Sequence, residues 1–142
     1  MHIKTKNANY FIDNGIVICE VNSDIILDLD MARRLVAERK KVIPAKDFPF
    51  LMIVRNYLLL DKQAFICFGS EDSLTGLCAS AIVIKSSLHR LLANFSLFFQ
   101  KQSKPYRLFN KTSDAKLWLF KFILENEDDE FDVLRSSEGP VS

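Results

Sequence analysis

Tyr10-Phe11-Ile12-Asp13-Asn14-Gly15-Ile16-Val17-Ile18-Cys19 is the stretch that decides the fold. Apolar runs flank Asp-Asn-Gly and read as two strands, over residues 8–12 and 15–21. Asn-Gly supplies the positive φ angles of a tight turn, so the two strands form an antiparallel hairpin.

Beyond the hairpin the pattern changes to helices alternating with buried strands. Asp28 or Asp30 caps a helix to about Val42, with Met31, Leu35, Val36 and Val42 near helical spacing. Arg33, Arg34, Glu38, Arg39 and Lys40 crowd its other side, and Pro44 stops it. Pro49 precedes an apolar strand over 50–54. Asp61 opens a short helix over 62–68 that ends near Gly69, and Gly76 precedes a strand over 77–84. Ser86 or Ser87 caps a third helix to about Gln100, carrying Leu88, Leu91, Leu92, Phe95, Phe98 and Phe99. A short strand over 105–109 and a fourth helix, capped by Thr112 or Ser113 and reaching about Glu125, complete the domain.

The order is β-β-α-β-α-β-α-β-α. Strands separated by helices pair mainly in parallel, because parallel neighbours require long crossovers. The expectation is an α/β domain over residues 1–125 with a mostly parallel five-stranded sheet and an N-terminal β-hairpin. An acidic and polar tail follows over 126–142.

This order, together with Tyr10-Phe11-Ile12-Asp13-Asn14-Gly15-Ile16-Val17, Ala81-Ile82-Val83-Ile84-Lys85-Ser86, the helix over 91–99, Pro105-Tyr106-Arg107-Leu108-Phe109 and Asp114-Ala115-Lys116-Leu117-Trp118-Leu119, resembles the STAS-like domains of the bacterial anti-sigma-factor-antagonist fold. Within that fold it is most similar to a group of small, uncharacterised bacterial proteins. The fold is related to CRAL-TRIO lipid-transfer domains. The resemblance covers residues 8–124 and implies a protein-binding module without a catalytic signature. In the phosphoregulated members a Ser or Thr stands just after the third strand, at the start of the second helix. Arg55-Asn56-Tyr57-Leu58-Leu59-Leu60-Asp61-Lys62-Gln63-Ala64 holds neither, so that acceptor is missing.

Composition narrows the function further. The 142 residues carry a net charge of +1, which exerts no overall pull on nucleic acid or anionic membrane. Cys19, Cys67 and Cys78 are odd in number, sit in apolar runs and form no Cys-x-x-Cys. Free buried thiols in a reducing compartment follow, with neither disulfide nor metal site expected. No apolar signal core opens the sequence, and no apolar run approaches membrane-spanning length, so the expected location is the cytoplasm.

Catalytic machinery is sparse. The only histidines are His2 and His89, and no Gly-x-Ser-x-Gly or His-Glu-x-x-His occurs. No cofactor is implied, and the protein is expected not to be an enzyme. The carboxyl ends of parallel strands are where ligands sit. There Asn56, Tyr57, Lys85, Ser86, Ser87, His89 and Arg90 form a candidate anion or ligand site, with ordinary helix capping as the plainer explanation.

The fourth helix carries Ala115, Trp118, Leu119, Phe122 and Ile123 on one side, and Leu117, Phe120 and Leu124 on another. One apolar face suffices to cover a sheet, so the second suggests a contact with another molecule. Phe98, Leu117, Trp118 and Phe120 are the candidate interface residues, and a homodimer or another protein partner is expected. The alternative is a small-molecule or lipid-binding domain, as the lipid-transfer relatives imply.

Overall fold

The structure, a computed structural model, describes residues 2–44, 46–84 and 102–138. Its strands are β1 (His2–Lys4), β2 (Ala8–Asp13), β3 (Ile16–Val21), β4 (Ile25–Leu27), β5 (Phe48–Val54), β6 (Tyr57–Leu60), β7 (Leu77–Ile84) and β8 (Tyr106–Phe109). Its described helices are α1 (Leu29–Val42), α2 (Lys62–Phe68), α3 (Glu71–Leu74) and α4 (Thr112–Glu138).

The main sheet has the order β1-β2-β3-β5-β7-β8. β1, β2 and β3 are antiparallel neighbours, and β3, β5, β7 and β8 run parallel. The hairpin turn forms as its sequence requires. Asp13 pairs with Ile16, and Asn14 and Gly15 take φ angles of 52° and 84°. The crossovers to β5 and β7 carry α1 and then α2 with α3.

The sheet departs from the five strands expected. It has six, and a separate two-stranded parallel sheet pairs β4 with β6. The three additional strands hold only three or four residues each. Strands this short lack a readable alternation, and β4–β6 pairing joins segments about thirty residues apart, so local pattern does not announce it. Pro49 lies inside β5 rather than before it, next to a register shift between Phe48 and Pro49. A residue without an N–H is tolerated at such a bulge near a strand's start.

Two apolar layers enclose the sheet. On one face, Tyr10, Val17, Cys19, Phe50, Met52, Ile82, Ile84 and Leu108 pack with Leu35 and Val36 of α1 and Phe65 and Phe68 of α2. On the other, Ile16, Ile18, Leu51, Ile53, Ala79, Ala81, Val83 and Phe109 pack with Ala115 and Leu119 of α4. β5 and β7 therefore bury side chains on both faces, as interior strands of a covered parallel sheet do.

Capping explains where α1 and α2 begin. Asp28 accepts from the backbone N–H of Met31 at 2.9 Å, and Asp61 accepts from that of Gln63 at 3.0 Å. α1 buries Ala32, Leu35, Val36 and Arg39. Arg39 thus leaves the solvated side to which its charge assigns it, because positions 32, 35, 36 and 39 share one helical face. α4 continues to Glu138, past the expected end near Glu125, so much of the proposed tail is helical. The acidic stretch after Glu125 contains no breaker before Gly139 and Pro140, which halt a helix on backbone grounds.

Candidate functional site

The outward face of α4 is built by helical spacing. Ala115 and Leu119 are buried against the sheet, with Trp118, Phe122 and Ile123 partly buried beside them. These five positions form the stripe that one helix turns toward a sheet. The other side is left with Leu117, which is 67% exposed, and Leu124, which is 60% exposed. They stand two turns apart, with half-buried Phe120 between them. Lys116 secures the helix laterally through an ion pair with Asp13 of the hairpin at 2.9 Å. Ile123 approaches Gly15, where an added Cβ would lie 3.4 Å from its Cδ1.

The predicted interface set therefore divides. Leu117 lies fully outward and Phe120 partly so. Trp118 turns inward, its ring 5.6 Å from Phe109 and 5.0 Å from Phe122. It belongs to the layer beneath the helix rather than to the outer face. Leu124 completes the outward stripe. Phe98 lies outside the described residues.

The predicted ligand site divides as well. Asn56 is exposed between β5 and β6, and Tyr57 is half-buried as the first residue of β6. Next to them Arg55 lies 3.7 Å from Glu20, an exposed pair that contributes little to stability. Lys85, Ser86, Ser87, His89 and Arg90 lie outside the described residues. His2 is exposed and tilts against Phe11 with ring centroids 6.1 Å apart.

The α1 layer holds polar side chains that the sequence reading left on the surface. Glu38 accepts from the Thr5 hydroxyl at 2.5 Å, the Tyr10 hydroxyl at 3.0 Å and the Asn7 amide at 3.0 Å. This carboxylate ties the turn between β1 and β2 to α1. Burial, with Cys19 and Glu38 nearby, holds the Tyr10 phenol well above its ordinary range, and burial pushes the Cys19 thiol up to about 12. Arg39 is only 4% exposed, and burial lowers its affinity for its proton. Its Nη2 donates to the Ser73 carbonyl at 2.8 Å, and its guanidinium carbon lies 5.4 Å from the Phe50 ring centre. The signal for Arg39 was its spacing of four from Leu35 and three from Val36.

The α1 layer is closely packed among the described residues. The cavity among Leu35, Val36, Arg39, Phe50, Met52 and Ser80 has a volume of about 10 Å³, room for about one water. Among the described residues no group of His, Cys, Asp and Glu could hold a metal ion. Cys19, Cys67 and Cys78 are not joined by a disulfide. No helix among the described residues is long and apolar enough to cross a membrane.

These features define a mixed α/β domain with a mostly parallel sheet and an apolar helix face turned outward. The chain belongs to the family of the domain of unknown function DUF7793, whose model matches residues 10–123. That span runs from the second strand to the end of the stripe that docks α4. No curated protein is similar enough to the chain to count as a match.

Proposed function

We propose that this chain is a non-catalytic, STAS-like protein-interaction module of the cytoplasm that lacks the usual phosphoacceptor and self-associates through the outward face of α4. The observation that carries this reading is the exposure of Leu117 and Leu124 on a helix whose opposite face already covers the sheet. Leaving two leucines in water forgoes about 1.5–3 kcal/mol each relative to full burial. A second copy related by a twofold axis presents the same stripe, which makes the contact self-complementary.

The segment after β5 supports the absence of a phosphate switch. Tyr57–Leu60 is a strand paired with β4, and the residue capping the following helix is Asp61, with no hydroxyl to modify. The cavity in the α1 layer, at about 10 Å³, is too small for a ligand, which supports a surface contact on the described part of the chain.

Light scattering coupled to size exclusion, run over a range of concentrations, tests the reading. The expected wild-type species is a dimer, and Leu117→Glu and Phe120→Glu each shift it to a monomer with unchanged far-UV circular dichroism. A wild-type protein that stays monomeric at the highest attainable concentration removes self-association from the proposal.

A further inference from the structure

Arg39 raises a question that the α4 surface does not answer. A guanidinium carries five N–H donors, and a buried one ordinarily faces an anion. Arg39 has no carboxylate within ion-pair distance among the described residues. Nη2 makes its contacts, to the carbonyls of Ser73 at 2.8 Å and Thr75 at 3.5 Å. Nη1 and Nε donate to none of the described residues.

Beside this side chain a depression of about 210 Å³ opens between the end of α1, the approach to β5 and the turn before β7. Arg39, Lys40 and Lys46 line it, and no carboxylate does. Gly76 leaves part of the wall open: a Cβ there would meet nothing within 4 Å. Ile43 and Phe48 supply an apolar side.

Charge decides what such a hollow holds. Lys40 is partly spent on Asp72, 2.8 Å away and largely in solvent. The carboxyl end of α1 adds about half a negative charge. Three cations against these, and against the exposed Asp47 beside Lys46, leave a net positive balance of at most about one charge, with all the lining charges themselves positive. A dianion with several acceptor oxygens complements it better than a carboxylate does, because Arg39, Lys40 and Lys46 line it with more donors than one carboxylate can accept.

We propose that this depression is an anion-binding site that takes a phosphate group, with Arg39 as its fixed anchor and Lys46 at its mouth. The group is supplied either by free phosphate or by a phosphomonoester whose apolar part rests on Ile43 and Phe48. The site lies in the α1 layer and is independent of the α4 contact.

The test is a titration of the full-length, ¹⁵N-labelled protein at neutral pH and constant ionic strength, followed at the Thr75 and Gly76 amides. Inorganic phosphate is expected to shift both saturably, with a Kd of about 1–10 mM. Phenyl phosphate binding more tightly than phosphate identifies a monoester as the natural source, and equal affinity identifies free phosphate. Lys46→Glu, an exposed position whose change leaves the fold intact, weakens either ligand about tenfold or more. The proposal is overturned if neither ligand saturates up to about 50 mM, or if chloride at matched ionic strength reproduces the shifts. Lys46→Glu leaving affinity unchanged overturns it equally.

Discussion

The two faces of the sheet are covered in different ways. On the α1 face, α1, α2, α3 and the β4–β6 pair enclose a layer threaded with polar anchors: Glu38 holds three donors, Tyr106 donates to the Phe65 carbonyl at 3.0 Å, and Arg39 donates to Ser73. On the α4 face, the buried side chains among the described residues are apolar, and α4 lies chiefly over β7 and β5, where Ala79 and Ala81 let it approach closely. Directional bonds fix one layer in a single arrangement. Apolar contact, with the Lys116–Asp13 ion pair at its margin, holds the other and leaves a second apolar stripe outward. Exposed leucines occur on both sides: Leu117 and Leu124 on α4, and Leu58 and Leu59 on β6.

The largest expected effects test whether the two layers resist damage differently. Leu35→Ala on α1 removes a side chain 1% exposed, and Leu119→Ala on α4 removes one that is fully buried. Leu→Ala costs about 2–5 kcal/mol, more where the surroundings cannot collapse. Leu35 sits among anchored elements and should fall near about 4–5 kcal/mol, whereas the less tethered α4 can settle and bring Leu119 nearer about 2–3 kcal/mol. Urea unfolding measures both. Equal losses would show that α4 is as rigidly seated as α1.

Glu38→Ala is next in size. It removes a charged acceptor from three donors, one of them the fully buried Tyr10. Hydrogen bonds to charged groups contribute about 1.5–3 kcal/mol each, and part is recovered because the site is half open, so a total loss of about 2–3 kcal/mol is expected. Hydrogen exchange should rise first in β1 and β2, the strands whose connecting turn this carboxylate holds. Unchanged protection there would mean the polar anchors do not fix the layer.

Alkaline pH separates the layers again, because Tyr10, Cys19, Cys67 and Tyr106, all raised by burial, belong to the α1 side. The Cys19 thiol moves from 9 to about 12. Below pH 9 it is protonated in both states, and its contribution is complete. Above pH 9 the unfolded chain releases the proton while the fold retains it, so the unfolded state binds fewer protons and stability falls as pH rises toward 12. The slope from one such group approaches about 1.4 kcal/mol per pH unit. Cys19→Ala should flatten the decline between pH 9 and pH 10, before the tyrosines contribute. A decline of the same steepness in that variant would place the sensitivity elsewhere.

Much of this architecture was legible because it is local. The Asp13-Asn14-Gly15 turn, the Asp28 cap of α1, the bounds of α2 and the strand Leu77–Ile84 each follow from a few adjacent residues. What escaped was non-local or too short to read. β4 and β6 find each other across α1, and β1, though it pairs with its neighbour β2, is too short at three residues to show an alternation. The outward stripe of α4 was readable from Leu117, Phe120 and Leu124, and helical spacing already set Trp118 with Ala115, Leu119 and Phe122 on the docking side, so counting Trp118 among the interface residues went against its own spacing. Arg39 was misplaced by its charge when its spacing already put it on the buried face.

The smallest expected effect lies in the turns that feed the α1 layer. Asp24 and Asp47 hold φ angles of 60° and 58°, where a side chain crowds the backbone. The hairpin turn meets the same demand with Gly15. Asp47 also donates its backbone N–H to Gly76 at 2.8 Å, a bond that glycine would keep. Asp47→Gly relieves about 1 kcal/mol of left-handed strain, somewhat less because a short polar side chain tolerates the region. Glycine then returns about 0.4–1 kcal/mol through the greater freedom of the unfolded chain. The two nearly cancel, and a gain of at most about 0.5 kcal/mol is expected in the urea midpoint. A clear loss instead would mean that the Asp47 carboxylate has work in the fold beyond occupying its turn. Standing next to Lys46, it would then belong to the charge pattern of the depression rather than to the backbone.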